Sequence, residues 1–421
     1  MSGAVIWAIG AYEAPGRTVC ETTIKEIGGP QEATVLCSGL RTSALNATLI
    51  NGFLVRYLDA HDIGGGGHNE DAISSIVAVS EREKASGKDF LTSVVISYEL
   101  GARIRESFVR ESPSGRDWSI DIRAGLSSPP TLGKLMGLNE EQIANAIGIS
   151  ASHSFPLGIL DAQKEEYVMT KNTRFGFGAY HAVLSCMLAK NGFTGPIRVV
   201  EGNSGFRQVI YRGEMDLERL VDFSGWRILK TRYKSMVTNG SNHSNIFATM
   251  AIVKEQDLKP DDIAAVRITV NPAGATGRST SAKKYPRNGE TATHSVHYAN
   301  AVAIKERDLG PESLKPDNFT NPVILDLIEK ITVEADPKMG GREGKSEITT
   351  RDGRKFEKHI VTPHGFGNDP LTDKELEEKF SKLTSSYIDE KQIRKIFDTV
   401  WNAEKLDNLS QLAKLTVIPP K

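Results

Sequence analysis

The spacing of apolar residues in this chain changes period twice, and that restricts the fold more than any other feature. Up to about residue 215 the apolar positions recur at helical intervals, as in Leu91, Val94, Val95, Tyr98 and Ala102, a stripe that one helix face buries. Asn139 and Gln142 form a loose capping box ahead of Ile143, Ala146, Ile147 and Ile149. Gly176 to Ala189 is small and apolar, as in a helix that neighbours approach closely, and Gly192-Phe-Thr-Gly-Pro196 stops it. After Gly225 the period becomes two. Ala265-Val-Arg-Ile-Thr-Val270, Ile331 to Ala335, Glu347 to Thr350 and Lys355 to Val361 alternate as half-buried strands do, with Arg351-Asp-Gly-Arg354 as a hairpin turn. Helical stretches at 245–256, 294–305 and 322–330 lie between them, and from Thr372 the helical period returns over 373–383 and 389–403. The pattern predicts a mainly α protein with a smaller α+β domain: a discontinuous helical domain of 1–225 plus 373–421, and an α+β domain of 226–372.

Composition excludes several classes of function. The 421 residues carry 52 Lys+Arg against 53 Asp+Glu, a formal net charge of -1, so no overall positive field exists to hold a nucleic-acid backbone. The cysteines, Cys20, Cys37 and Cys186, are too few and scattered for a disulfide framework or a zinc site, which predicts a reducing, cytoplasmic setting. The apolar run Ala4 to Tyr12 is far shorter than the ~20 residues that span a bilayer, and no Lys or Arg precedes it. It begins almost at Met1 without a cap, as if a helix were entered partway along.

Four segments concentrate reactive side chains. Arg56 to Asp71 gathers Asp59, His61, Asp62, His68, Glu70 and Asp71 around four glycines, which suits general acid–base work or close approach to a ligand, and suits a solvated Gly-rich loop as well. It is not a phosphate-binding P-loop, because Gly-Lys-Ser/Thr is missing. Met169 to Gly178 places Lys171 and Arg174 before a small-residue helix, which suits an anionic ligand and suits a pair of solvated charges as well. Lys230 to Met236, with Asn242-His243, offers Lys234 and His243 to a carboxylate or a proton, or is a strand with a basic wet face. Glu290 to Tyr298 sets His294 and Tyr298 at i,i+4, on one face if the helix covers both. Together they suggest an enzyme for a small polyanionic acid, with no nucleotide-cofactor fingerprint and no regular metal-ligand spacing.

The order of these segments resembles the MmgE/PrpD family, which includes 2-methylcitrate dehydratase, cis-aconitate decarboxylase and iminodisuccinate epimerase. The stretches that carry the resemblance are Asn51-Gly52, Arg56-Tyr-Leu-Asp59, Gly67-His68 with Asp71, Gly133-Lys-Leu-Met-Gly-Leu138, Met169-Thr-Lys-Asn172, Gly192 to Pro196, Glu290-Thr-Ala with His294-Ser295 and Tyr298, and Asn368-Asp-Pro-Leu-Thr-Asp373. They span essentially the whole chain. The resemblance implies the two-part architecture already read from periodicity, a metal-free and cofactor-free site between the parts, a homodimer, and a di- or tricarboxylate substrate. It implies Asp59, His68, Lys171 and Tyr298 as catalytic residues. Asp62, Arg174, Lys234, His243 and His294 follow as substrate-binding residues. The implied reaction is dehydration of 2-methylcitrate or a similar acid; decarboxylation, epimerisation and a catalytically degenerate member are the alternatives.

The chain departs from the family pattern in ways that carry expectations of their own. The loop reads Asp59-Ala-His-Asp-Ile63, and Gly67-His-Asn-Glu-Asp71 puts Glu70 where a negative charge would face the expected anion. Ser119-Ile120 follows Trp118 where many members have a histidine, with Arg123 nearby as a partial substitute. Pro129-Pro130 predicts a kink in the helix before Gly133. Relatives begin with a further helix, so the abrupt start at Met1 reads as a missing first helix.

Overall fold

The computed structural model describes residues 2–64, 68–108, 117–161 and 165–419. Met1 and the glycines at 65–67 of the expected site loop lie outside the described residues.

The centre of the helical part is the Ala44–Tyr57 helix, capped by Ser43, whose hydroxyl accepts from the Asn46 amide, and buried on almost every side. It packs against the Ile73–Arg82 and Arg174–Lys190 helices. A Cβ on Gly52 would lie 2.8 Å from the Gly176 Cα, so the two helices meet backbone to backbone, which fixes the Arg56 end of one beside the Lys171 end of the other. The Glu140–Ala151 helix has the full capping box expected at Asn139 and Gln142. The Ala124–Leu135 helix runs through Pro129 and Pro130 rather than ending at them. The Pro129 carbonyl accepts from the Cys186 thiol at 3.5 Å.

The early apolar run forms the Ser2–Gly10 helix, in which Ala4 to Ile9 are buried. It packs on the Ala44–Tyr57 helix and on the Asp373–Thr384 helix, so the last part of the chain returns to the first.

A two-residue ribbon ties the site loop to the second half of the chain: β1 (Asp62–Ile63) pairs antiparallel with β2 (Arg232–Tyr233). The α+β part has a four-stranded sheet of β3 (Ile263–Val270), β4 (Ile331–Ala335), β5 (Gly344–Thr350) and β6 (Lys355–Ile360), in the order β4-β3-β5-β6. β3 and β4 are parallel, joined through a helical crossover, and the other pairs are antiparallel. Asp352-Gly353, with Gly353 at φ 88, makes the expected turn between β5 and β6. One sheet face is covered by the His243–Glu255, Val296–Glu306 and Pro322–Lys330 helices. The Val296–Glu306 helix starts two residues later than its period predicts, because Ser295 is its cap.

Candidate active site

Asp59 follows the C-terminus of the Ala44–Tyr57 helix with φ 48, a left-handed conformation that a non-glycine residue holds only when its surroundings insist. Lys234, just after β2, supplies that constraint: its ammonium donates to the Asp59 carbonyl at 2.6 Å and to Oδ1 at 2.7 Å. On the other carboxylate oxygen, Lys171 Nζ lies at 3.6 Å and His294 Nε2 at 3.2 Å. Burial alone would raise the Asp59 pKa, but Lys171, Lys234, His294 and His61 together hold it well below the usual carboxylate range. Asp59 is therefore a fixed anion and a very weak base. Lys171 is pushed down by burial to about 8 although Asp59 opposes the shift, and its ammonium has no hydrogen-bond acceptor among the described residues.

His61 and His68 stand edge to face, with Nε2 of the first 2.5 Å from Nδ1 of the second. His61 Nε2 is also 3.5 Å from Asp59 Oδ1, so one ring nitrogen faces both the carboxylate and the second imidazole, and His61 Nδ1 has no hydrogen-bond partner among the described residues. Burial, with Arg56 and Lys234 nearby, pushes both imidazoles well below their ordinary pKa, so they are neutral near pH 7.

Beside them lies a largely buried charge layer. Arg56 pairs with Asp71 and reaches Asp121 at 3.7 Å, Arg174 pairs with Asp161 and lies 3.2 Å from Asp121, and Arg123 lies 3.6 Å from the same Asp121. Asn172 donates to Glu290 at 2.9 Å, which joins the Met169–Asn172 and Glu290–Ser295 segments. A cavity of about 420 Å³ opens over these groups. Asp59, His68, Arg56, Arg174, Ile120, Tyr167 and His294 line one side; Asn239 to Ser241, Arg278 and Arg342 line the other. Among the described residues no three or more His, Cys, Asp or Glu side chains are grouped so as to hold a metal ion.

The pattern of the MmgE/PrpD N-terminal domain matches residues 4–218, and that of the MmgE/PrpD C-terminal domain matches residues 238–403. The chain belongs to the MmgE/PrpD family. Its relatives include a cis-aconitate decarboxylase-like protein of Aspergillus oryzae, 22% identical over 400 residues, covering 88% of this chain and 81% of the relative. The cis-aconitate decarboxylase of Aspergillus terreus is 24% identical over 374 residues, covering 83% and 74%. A 2-methylcitrate dehydratase-like protein of Aspergillus oryzae is 25% identical over 415 residues, covering 88% and 81%.

In this MmgE/PrpD chain, five of the nine expected site residues, Asp59, His68, Lys171, Lys234 and His294, converge on one centre, and Arg174 joins the wall of the same cavity. Three do not reach it. Tyr298 is buried with its hydroxyl donating to the Ser313 carbonyl at 2.5 Å and its ring against Phe319. The i,i+4 face fails because His294 precedes the helix cap, where the chain changes direction. His243 is buried behind the Asn239–Ser241 turn, packed on Phe366 and pushed down to about 3 by burial. Asp62 turns away from the cavity. Its Oδ2 accepts from Tyr98 at 2.5 Å and its amide donates to Glu70 at 2.9 Å. Glu70, expected beside the anion, instead accepts from Trp7 Nε1 at 2.9 Å and belongs to the same inner clasp. Arg123 does not face the cavity either; it braces Asp121 against Phe175.

Asp121 and Arg342 stand at or behind the cavity wall although no motif points to them, and His61 is only one of several reactive side chains in its loop. Four acids and two imidazoles within Asp59 to Asp71 signal a cluster, but not which imidazole sits behind which. Asp121 is three residues after Trp118, where only a lost histidine was expected.

Proposed function

We propose that the chain is a lyase that eliminates water from a citrate-like hydroxy acid by removing a proton α to a carboxylate. The observation that carries this reading is the neutral His68 imidazole at the cavity wall, backed by His61 and set beside a Lys171 ammonium that lies 3.6 Å from Asp59 and donates no hydrogen bond to a described residue. With its hydrogen on Nδ1, His68 donates to His61 Nε2 and keeps Nε2 as the base. The C–H pair becomes enolate-like charge, held by Lys171 and Arg174 in a site largely shielded from water. The C–O bond then breaks, and a proton from Lys171, whose pKa near 8 suits an acid at neutral pH, completes the departing water.

Incubation with 2-methylcitrate and with citrate, followed by the ultraviolet absorbance of an unsaturated product, tests it; no turnover of either acid overturns this reading. A second reading, decarboxylation of cis-aconitate, is favoured by the names of two of the relatives above. It uses the same carbanion stabilisation, with Lys171 or His68 returning a proton to carbon, and release of carbon dioxide from cis-aconitate distinguishes it.

The reading includes a homodimer. Phe155, Leu157, Ile159, Val168 and Phe177 are exposed apolar side chains in the segments that flank Asp161 and Arg174, and a second copy would cover them. Sedimentation at increasing concentration checks the assembly: a monomer throughout, with Phe177→Asp sedimenting as the parent does, removes it.

A further inference from the structure

The cations around Asp59 and Asp121 are matched by the protein's own carboxylates: Arg56 by Asp71 and Asp121, Arg174 by Asp161 and Asp121, Lys234 and Lys171 by Asp59. Arg342 on the opposite side is different. It sits in the turn leading into β5, is exposed, and forms no ion pair with a described carboxylate. Its guanidinium is held by an aromatic face instead, 4.8 Å above the ring of Phe366, whose ring packs against His243 at 5.2 Å. The Arg342 carbonyl accepts from the Ser244 hydroxyl, which fixes the backbone of the turn. A stacked guanidinium is oriented without spending its hydrogen-bond donors, and its planar fork matches a carboxylate.

We propose that Arg342 is the specificity-determining residue for the third carboxylate of the substrate. A vicinal dicarboxylate is held at the inner pole, by Lys171 and the groups around Asp59. The remaining carboxylate of a tricarboxylate reaches the small-domain side and takes the free fork of Arg342. The inference rests on the citrate-like reading given above and deepens it by naming the residue that takes the third carboxylate.

Two acids that cannot be dehydrated at this site, tricarballylate and succinate, separate the poles, because succinate lacks the third arm. Calorimetric titration of wild-type protein and of Arg342→Gln with each acid is the test, with Arg342→Lys as a variant that keeps the charge but loses the planar fork. Arg342 is exposed, and an unchanged thermal midpoint verifies that the variants fold. The expected result is a loss of about tenfold or more in tricarballylate affinity for Arg342→Gln. Succinate affinity stays within about twofold, and Arg342→Lys recovers part of the loss. Equal losses for both acids, or no loss for either, overturn the assignment. If the wild-type protein binds succinate and tricarballylate equally tightly, the third-carboxylate pole is absent although the polycarboxylate reading stands. If it binds neither, both fall together.

Discussion

Asp59 and Asp62 lie three residues apart in one loop, both fully buried, and the protein drives them in opposite directions. Asp59 meets two ammonium groups and two imidazoles and stays ionised. Asp62 is raised by burial and then by Glu70, against the Tyr98 hydrogen bond, and is pushed up to about 8, so it keeps its proton at neutral pH. Residue type and burial are the same; only the charges around each carboxyl differ. A buried carboxylate that cations surround becomes part of the electrostatic frame of a site, whereas one paired with another acid becomes a neutral hydrogen-bonding clasp.

The strongest way to break this contrast is Asp59→Asn. Removing the charge leaves Lys171 and Lys234 buried without their anion, and the expected cost is about 3–5 kcal/mol in chemical denaturation, together with loss of turnover. A cost below about 1 kcal/mol would place Asp59 in the same class as Asp62. Next comes His61→Phe, which fills a similar volume but deprives His68 of its ring partner. The expected outcome is a fall in kcat of about 10–100-fold with KM little changed, in the range that general-base support supplies. Equal damage to kcat and KM would make His61 a packing residue.

Asp62→Asn is expected to have the smallest effect at pH 7, under about 1 kcal/mol, because the wild-type carboxyl is already neutral and an amide preserves its shape. It sharpens the contrast through pH. The folded pKa of Asp62 lies above the unfolded value of about 3.9, so its stabilisation is complete below that value and is lost as pH rises toward about 8, where the unfolded chain has released a proton that the folded chain retains. Asp59 has the opposite sign: its contribution is present above about pH 4 and is lost only as pH falls toward its depressed folded value. Urea midpoints between pH 4 and pH 7 are therefore expected to fall more steeply for wild type than for Asp62→Asn, and identical slopes would contradict the assignment.

The motif order made the carboxylate, lysine and imidazole content of the site legible, because Asp59, His68, Lys171, Lys234 and His294 all lie in segments dense in chemistry-bearing residues. Tyr298 shows where that reasoning ends. An i,i+4 rule holds only inside a helix, and Ser295, one residue after His294 and three before Tyr298, caps the helix and separates the two side chains. Glu70 shows the same limit for charge: its sign is in the sequence, but its direction is set by Trp7, 63 residues away, and by the Asp62 amide.

The sequence by itself determined the order of helical and alternating segments, the capping box at Asn139, the turn at Asp352-Gly353 and the family. These follow from local backbone preference and from the period with which apolar side chains must be buried. Only the tertiary structure decided which acid is ionised, which imidazole faces the cavity and which arginine is left without a carboxylate. Each depends on charges that lie far apart in the chain, such as Lys234 reaching Asp59 across 175 positions, and Coulomb interactions and desolvation act through space.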